Sequence, residues 1–203
     1  MTKRRAFTLA EILIVLAIIG VVATLTLPGL LMSYRDRTYV AQLQRTYNSL
    51  SNAATAQMLA DDVDDLSKSS MTNSKGIEEF IRNNLKVSND CGSNTGDCFA
   101  GDYSDFNKST TKSAYDLSSW PGSDKRCYLL NTGASICMGP MSQNGYANIM
   151  IDTNGQAGPN VNGLDLFRLS MDKYGNMSST GGTSGFEYGF FEYIRRHGWV
   201  MYK

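Results

Sequence analysis

The first 34 residues combine an almost unbroken apolar run with a single acidic side chain. Between Phe7 and Tyr34, Glu11 is the only charged residue. The 21 residues from Ile12 to Met32 would span about 30 Å as an α-helix, which matches the thickness of a bilayer core. A cleaved secretory signal would have a shorter apolar core followed by a small-residue cleavage site, and this stretch has neither. We therefore expect a retained helix that crosses a membrane.

Glu11 is the part of this run that membrane insertion does not explain. A charge near the centre of a membrane helix costs roughly 2.5–3.5 kcal/mol on insertion scales, so we expect it to serve a partner. A carboxylate that reaches the membrane surface, or that is protonated, is the alternative. The basic residues Lys3, Arg4 and Arg5 favour a cytoplasmic N-terminus by the positive-inside bias, which places the chain after Tyr34 outside the cytoplasm.

Beyond Tyr34 the apolar positions narrow to one stripe with helical spacing. The stripe consists of Leu43, Tyr47, Leu50, Ala54 and Met58. One helix from Phe7 to about Leu59 is therefore predicted, roughly 80 Å long, with its first half suited to lipid or a filament core and its second half to packing on a sheet. Gly20 lowers helix propensity and Pro28 cannot donate a backbone hydrogen bond. Between these two residues the helix can bend in a membrane or partly unwind in a packed filament.

Shorter elements follow the long helix. The acidic residues Asp61, Asp62, Asp64 and Asp65 are expected to end it and to form a solvated loop rather than a metal site. A second helix is predicted at 76–87, with Ile77, Phe80, Ile81 and Leu85 on its buried face. The abundance of Ser, Asn, Gly and Thr from Leu66 to Ser123 indicates long surface loops.

Strand patterns dominate the later part of the chain. They are predicted at Arg126–Leu130, 134–138, Tyr146–Asp152 and 165–171, with a last strand in the aromatic-rich stretch 186–202. The first two strands flank a three-residue hairpin loop that ends in Gly133, where a left-handed conformation is favoured. The expected fold class is α+β, in which the long N-terminal helix packs on a small antiparallel sheet.

Four cysteines lie in the part of the chain expected outside the cytoplasm. In the predicted hairpin Cys127 faces Cys137, and directly opposed residues lie about 4.5–5.5 Å apart, within disulfide range. Cys91 and Cys98 lie in a loop rich in Gly, Asn and Asp and can close a small ring. Two local disulfides are the preferred connectivity in an oxidising compartment, although four cysteines allow three pairings. Zinc is the alternative, which the absence of a C-x-x-C motif and the single His197 disfavour.

The segment 152–165 joins two predicted strands and is rich in Asp, Asn and Gly. Oxygen atoms of Asp152, Asn154, Asn160 and Asp165 would be the first ligands to test for a hard cation such as Ca²⁺. The spacing does not match an EF-hand loop. Asn, Gly and Pro also form turns that need no ion, so a plain connection is the alternative interpretation.

The overall charge argues against a general electrostatic grip on nucleic acid. The chain has 19 basic and 19 acidic residues, and without Lys3, Arg4 and Arg5 the remaining 16 basic residues are outnumbered by three. No nucleophile-elbow, Walker or dinucleotide-binding motif occurs, and no nucleophile motif accompanies His197, for which a surface or interface role is expected. We therefore expect no enzyme activity, and no cofactor apart from the calcium ion considered above.

The residues KRRA-FTLAEILIVLAIIGVVATLTLP at the start of the chain resemble the N-terminal signature of type IV pilins, a family that includes the pseudopilins of type II secretion. The resemblance implies a pilin-like fold with a leader peptide at 1–6, a transmembrane and assembly half of the helix at 7–34 and an exported globular domain at 35–203. It also implies cleavage between Ala6 and Phe7 by a prepilin peptidase, followed by methylation of Phe7. The residue before the cut is usually glycine, so Ala6 predicts slower processing.

The same resemblance implies a role for Glu11. It becomes the fifth residue after the cut, where the family places its acid, and Gly20 and Pro28 fall where many pilins carry helix-weakening residues. In a staggered bundle, Glu11 can meet the new amino group of Phe7 on the next subunit. That pair neutralises a charge that would otherwise lie unpaired in an apolar core, so the acid would select the axial register.

The implied partners are copies of the chain or related pilins, the membrane before assembly, the peptidase, and an inner-membrane assembly platform with its ATPase. The implied location is the bacterial inner membrane, crossed once, and then a periplasmic or cell-surface filament. A filament subunit is the favoured function. A non-polymerising, membrane-anchored extracytoplasmic binding module is the alternative, and it would not need Glu11. Loops similar to D-x-N-G-x-x-G-P-N occur in pseudopilin-like proteins, and major pseudopilins can bind calcium there. The resemblance therefore favours a pseudopilus, and a pilus stays open as the alternative.

Overall fold

The computed structural model describes residues 8–104, 117, 120–180 and 189–202. The basic leader and the expected junction between Ala6 and Phe7 lie outside the described residues. The chain divides into two compact units, Met1–Thr38 and Tyr39–Lys203. The long helix expected from the apolar pattern is present as α1, which spans Leu9–Ala60.

In the first unit, α1 exposes its large apolar side chains. Leu9 is 80% exposed and Leu25 is 78% exposed, and the other leucine, isoleucine and valine residues between them are exposed as well. Among the described residues, α1 is the one helix whose length and composition would let it cross a membrane. The helix continues through Gly20 and Pro28, and the hydroxyl of Thr24 donates to the carbonyl oxygen of Gly20 at 3.0 Å.

In the second unit, α1 buries the stripe predicted from its spacing. Leu43 and Leu50 are fully buried and Ala54 is nearly so, while Tyr47 and Met58 pack against the same core. These side chains meet the sheet residues Ile136, Ile149, Phe167 and Leu169 in one cluster. A helix with a single apolar stripe is stabilised by this kind of packing, so the predicted role of the second half of α1 is confirmed.

The acidic segment after α1 is only partly a solvated loop. Asp62 and Asp64 are exposed, as expected. Asp65 is buried and caps a 3-10 turn at Leu66–Lys68, where it accepts a hydrogen bond from the backbone N–H of Ser67 at 3.0 Å. Asp61 also accepts from the backbone N–H of Ser70 at 2.8 Å. The expectation of a wholly solvated loop is therefore wrong for these two carboxylates, because the chain turns back and offers them backbone donors.

The second helix, α2, spans Ser74–Asn84 and is followed by strand β1, which the sequence analysis did not predict. Asn73 caps α2 by accepting from the N–H of Gly76 at 3.0 Å. The four side chains predicted for its buried face are all buried, at Ile77, Phe80, Ile81 and Leu85. The helix ends before 87 because Leu85 is extended and leads directly into the strand.

In the part of the chain that the structure describes, six antiparallel strands form one sheet in the order in which they occur along the chain. The strands are β1 (Val87–Gly92), β2 (Arg126–Leu130), β3 (Ser135–Met138), β4 (Tyr146–Asp152), β5 (Leu166–Asp172) and β6 (Met177–Ser179). The β2–β3 hairpin has the predicted register, and Gly133 adopts a positive φ of 86° in its loop. Strand β5 lies one residue further along than predicted, and β6, like β1, was missed.

The disulfides match the preferred pairing. Cys127 bonds Cys137 across the β2–β3 hairpin, and Cys91 bonds Cys98. Cys91 lies in β1 rather than in a loop, and Cys98 follows a short 3-10 turn at Thr95–Asp97. All four cysteines are therefore oxidised, which leaves no thiols for the zinc alternative.

The prediction of a last strand within 186–202 is wrong for its described part. The structure has a helix there, α3, at Phe190–Arg196. Phe190, Phe191 and Ile194 are buried together on the face of α3 that contacts the core. This three-and-four spacing is the helical signal that the high aromatic content obscured.

Candidate functional site

Two places in the described chain bear on function, and the first is the start of α1. Thr8 precedes the first helical residue, and Glu11 is the third residue of the helix. The carboxylate of Glu11 accepts hydrogen bonds from the backbone N–H of Thr8 at 2.8 Å and from its hydroxyl at 2.9 Å. The N–H of Glu11 in turn donates to the hydroxyl oxygen of Thr8 at 3.3 Å. This reciprocal arrangement is a capping box.

The capping box gives Glu11 a local role that the sequence analysis missed. The signal was available as Thr8-x-x-Glu11 ahead of an apolar run, which is the pattern of a helix N-terminus. The carboxylate satisfies donors that the first turn of a helix otherwise leaves unpaired. A negative charge is also favoured there by the helix dipole. The start of α1 is thus the position in this run where an acid costs least.

The second place is the loop 152–165 between β4 and β5, which brings the four proposed calcium ligands into one local structure. Asp152 ends β4 and Asp165 precedes β5, and the backbone N–H of Thr153 donates to the carbonyl oxygen of Asp165 at 2.9 Å. The side chain of Asn154 donates to the carbonyl oxygen of Gly158 at 3.0 Å. Asn160 has a positive φ of 56°. The loop therefore closes on itself through both carboxylate-bearing ends.

Both carboxylates are fully buried and hold the loop backbone. The carboxylate of Asp165 accepts from the N–H groups of Asn160 at 2.8 Å and Val161 at 2.7 Å. The carboxylate of Asp152 accepts from the N–H of Asn154 at 3.0 Å and from the hydroxyl of Tyr103 at 2.5 Å. Tyr103 lies 49 residues earlier in the chain, and no local sequence pattern pointed to it.

Burial makes these carboxylates electrostatically unfavourable. Desolvation, helped by the neighbouring charge of Asp165, raises the pKa of Asp152 to about 7, although hydrogen bonds from Tyr103 and the backbone act in the opposite direction. Desolvation likewise raises the pKa of Asp165. The pKa of the Tyr103 phenol is also raised, mainly by burial and then by the charge of Asp152. A cation in this loop would offset the cost of the two buried acids.

Unpaired oxygen atoms in the loop give the test of whether a cation fits. Among the described residues, six buried side-chain polar atoms have no hydrogen-bond partner, and three of them are oxygens of this loop, Thr153 Oγ1, Asn154 Oδ1 and Asn160 Oδ1. Buried oxygens without donors are rare and costly. Together with two carboxylates, they are the hard oxygen ligands that Ca²⁺ prefers. No group of three or more acidic, histidine or cysteine side chains suited to a metal occurs in the described chain, so amide and hydroxyl oxygens would have to complete the set.

The loop is also held from both sides within the second unit. The hydroxyl of Tyr39 on α1 donates to the carbonyl oxygen of Gly158 at 3.2 Å. The hydroxyl of Tyr202, near the end of the chain, donates to the carbonyl oxygen of Gly163 at 2.7 Å. A Cβ at Gly163 would lie 2.5 Å from the ring of Phe190, so only glycine lets α3 pack this closely. The ends of the loop are therefore tied to the core, while residues 156–159 between them are exposed.

His197 follows α3 directly. It is exposed, as expected, and stacks on the ring of Tyr193 at 3.9 Å. Its ring nitrogen Nδ1 contacts the carbonyl oxygen of Tyr193 at 2.8 Å. This arrangement is a local helix-end contact.

A comparison with protein families identifies the N-terminal segment. Residues 1–27 match the family model described as the prokaryotic N-terminal methylation motif. The chain carries the prepilin-type cleavage and methylation signal of type IV pilins and pseudopilins. Comparisons with curated proteins and with solved structures gave no match. The prepilin signal contains the Thr8–Glu11 capping box and Gly20, and it ends one residue before Pro28. With the α+β architecture, it gives the chain the layout of a pilin-like precursor.

Proposed function

We propose that this chain is the precursor of a structural subunit of a type IV pilus or of a type II secretion pseudopilus. A prepilin peptidase would cut between Ala6 and Phe7, Phe7 would be methylated, and copies would assemble through the apolar half of α1. Before assembly the chain would cross the bacterial inner membrane once, with a cytoplasmic N-terminus, and the filament would lie in the periplasm or at the cell surface. The peptidase, an assembly platform and its ATPase are the proposed partners.

One observation carries this proposal. The prepilin signal extends into a helix whose first half exposes a nearly continuous run of large apolar side chains, while the second half of the same helix belongs to a packed domain. Exposed apolar surface of this extent indicates burial in lipid or against other protein. A filament core built of such half-helices would supply that burial after extraction from the membrane.

The first test of the proposal is the mass of the mature N-terminus. We expect full-length protein recovered from membranes, or from sheared filaments, to begin at N-methyl-Phe7 when a prepilin peptidase is present. A peptidase-deficient strain provides the control, in which the chain should begin at Met1. A chain that begins at Met1 in both strains would contradict the proposal, and an Ala6→Gly variant would then show whether Ala6 is the obstacle.

The second test separates the two roles of Glu11. Glu11→Gln keeps a side chain that can close a capping box but removes the charge. Thr8→Val removes the hydroxyl that caps the helix and keeps the charge. If Glu11 pairs with the amino group of Phe7 on the next subunit, Glu11→Gln should insert normally but fail to enter filaments, and Thr8→Val should assemble. The opposite pattern would assign Glu11 to local capping alone.

A non-polymerising, membrane-anchored binding module is the competing function. It would use the same apolar helix and the same sheet, and it would not depend on the charge of Glu11. In that case Glu11→Gln would leave membrane insertion and the amount of exported protein unchanged. No filament would be sheared from cells carrying the wild-type chain. Filaments that contain the wild-type chain exclude this alternative.

We further propose that the loop 152–165 binds Ca²⁺ through Asp152, Asn154, Asn160 and Asp165. Two observations support this site: the amide oxygens of Asn154 and Asn160 are unpaired, and the two carboxylates are buried without an ion pair to any residue that the structure describes. The bound ion would neutralise the two acids and fix the loop against α1. Similar loops can bind calcium in major pseudopilins, so a calcium site here would favour a pseudopilus over a type IV pilus.

A further inference from the structure

Most of the cationic side chains that the structure describes in the second unit contact an acidic side chain, whereas two that line a groove form no ion pair with a described residue. The groove has a volume of about 280 Å³ and is lined by the second half of α1, the end of α2 and the β2–β3 hairpin. Arg45 and Lys86 both belong to its lining and are exposed. Neither forms an ion pair with any residue in the described part of the chain. By contrast, Arg82 and Arg195 each contact a carboxylate.

The rest of the groove suits a carboxylate. Ser49, Asn84 and Thr132 supply hydroxyl and amide groups, and Leu85 and Leu130 supply apolar surface. A guanidinium group beside such donors matches the planar, two-oxygen geometry of a carboxylate. The chain without its leader has more acidic than basic residues, so carboxylates on other copies are available as partners for these two cations.

A complementary surface occurs at the end of α1. It is an open depression lined by Thr55, Met58, Leu59, Asp62, Val63 and Asp64. Leu59 is 83% exposed and supplies apolar surface beside the two carboxylates. Asp62 has no ion pair among the described residues, and Asp64 contacts only the exposed Lys68, at 2.6 Å. This surface offers carboxylates next to an exposed leucine.

We propose that the groove at Arg45 and Lys86 receives the acidic turn at Asp62 and Asp64 of a second copy of the chain. The contact joins two different surfaces, and a contact of that kind repeats without closing, which produces an open helical array. The inference rests on the proposed filament function, in which parallel copies of α1 are axially staggered. The acidic turn lies 17 positions beyond Arg45, or about 25 Å along a helix, so the contact joins copies offset by about that distance.

The contact selects register rather than supplying most of the assembly energy. Exposed ion pairs contribute little free energy each. Like charges placed together cost several times more, so a wrongly offset copy is penalised. The contact thus selects the axial register of the globular units, as Glu11 is proposed to select the register of the N-terminal helices.

Cysteine cross-linking tests the contact directly, because all four native cysteines are in disulfides and an introduced thiol is the only free one. Full-length Arg45→Cys and Asp62→Cys copies are expressed together with a prepilin peptidase and treated with a short bis-maleimide in membranes and in sheared filaments. We expect a dimer from the mixture and none from either variant alone. Lys75→Cys with Asp62→Cys is the matched control, since Lys75 is exposed and lies outside the groove. Equal dimer yields from the two mixtures would overturn the inference.

Charge exchange provides the second test. Arg45→Glu with Lys86→Glu should reduce filament yield at least about tenfold, because two like-charged surfaces then meet. Asp62→Lys with Asp64→Lys should do the same, and the chain that carries all four changes should recover. The cross-link yield should also fall at high salt, which screens exposed charges. A fourfold variant no better than its parents would overturn the inference.

The outcomes keep this inference separate from the filament proposal. Wild-type filaments that form normally while the mixed cross-link is absent would remove the contact and leave the filament function standing. A chain that is neither processed at Phe7 nor assembled, and that gives no mixed cross-link in membranes, would remove both. Binding of citrate to the groove with no rescue by charge exchange would reassign it to a free carboxylate ligand and overturn the contact.

Discussion

The calcium proposal makes a sharp prediction for Asp165→Asn. The change keeps the shape of the side chain and removes one of the two buried charges in the loop 152–165. Wild-type Asp165 uses both carboxylate oxygens to accept from the backbone N–H groups of Asn160 and Val161. An asparagine has a single acceptor oxygen, so one of these N–H groups loses its partner.

The expected magnitudes differ with and without the ion. Without calcium, the lost hydrogen bond costs about 1–3 kcal/mol, and relief of the repulsion between the two buried acids, Asp152 and Asp165, offsets part of it. With calcium at about 100 times its dissociation constant, binding stabilises the folded wild-type chain by about 2.7 kcal/mol. For a chain of this size, that corresponds to a rise in melting temperature of about 5–10 °C. Asp165→Asn should lose most of this rise because it removes a charged ligand.

The assay is thermal unfolding of the full chain in detergent, in EGTA and in excess CaCl2, with MgCl2 as the ionic control. Asp172→Asn is the matched variant. Asp172 also accepts from two backbone N–H groups, those of Tyr174 at 2.9 Å and Asn176 at 2.8 Å, but it is the last residue of β5 and lies outside the loop. Asp172→Asn should keep the full calcium-dependent rise. A wild-type melting temperature that calcium leaves unchanged, or an equal rise in Asp165→Asn, would refute the calcium site.

Three further predictions concern the folded second unit, each measured by urea unfolding. Gly76→Ala should lower the unfolding free energy by at least about 2 kcal/mol although alanine favours helices, since its Cβ would lie 1.7 Å from the carbonyl oxygen of Ser70; an unchanged midpoint would contradict this. Gly163→Ala should destabilise by a similar amount of about 2 kcal/mol, because φ there is 90° and the new Cβ would lie 2.5 Å from Phe190, and a stable variant would show that α3 can move away. Tyr128→Phe should leave the unfolding free energy unchanged or raise it by about 1 kcal/mol at neutral pH, because the buried hydroxyl has no hydrogen-bond partner among the described residues. Burial raises the pKa of Tyr128 in the folded protein to about 12, so on raising the pH this tyrosine loses its proton at a lower pH in the unfolded chain than in the folded one. The wild-type protein should therefore lose stability as the pH rises above about 10. Tyr128→Phe should not show this part of the loss.

The sequence was most informative where one physical period dominates. The apolar stripe from Leu43 to Met58 has helical spacing, and no alternating strand-like pattern overlaps it. The second half of α1 was therefore predictable. The β2–β3 hairpin was predictable in register because its loop length and Gly133 fix the turn, and the opposed Cys127 and Cys137 followed from that register. Each of these features depends on contacts that are close in sequence or strictly periodic.

The misses have the opposite character. Strand β1 has a polar, largely exposed sequence, and it is a strand because β2 pairs with it from across the chain. The aromatic content of α3 favoured a strand, although the spacing of its buried residues is helical. Tyr103 reaches Asp152 from 49 residues away, so no local pattern could place it in the candidate site. The capping box is a different case, because Thr8-x-x-Glu11 is a local pattern that the sequence alone contains.

The capping box explains why the acid of the apolar run stands at this one position. A carboxylate at the third residue of a helix accepts hydrogen bonds from the capping residue and lies at the positive end of the helix dipole. Anywhere further along α1 it would find no backbone donors, because those N–H groups bond to carbonyl oxygens of the preceding turn. On the proposed function, cleavage adds a positively charged amino group at Phe7 of every copy, and Glu11 exchanges neutral donors on Thr8 for a charged one on the next subunit. The exchange gains free energy only if the copies meet in register, since the attraction between two opposite charges is strong in an apolar core and falls with distance. The Glu11 carboxylate thus has hydrogen-bond donors on Thr8 while the single copy lies in the membrane. It gains a stronger partner in one register of the filament, so the same side chain can be tolerated in the membrane and still direct assembly.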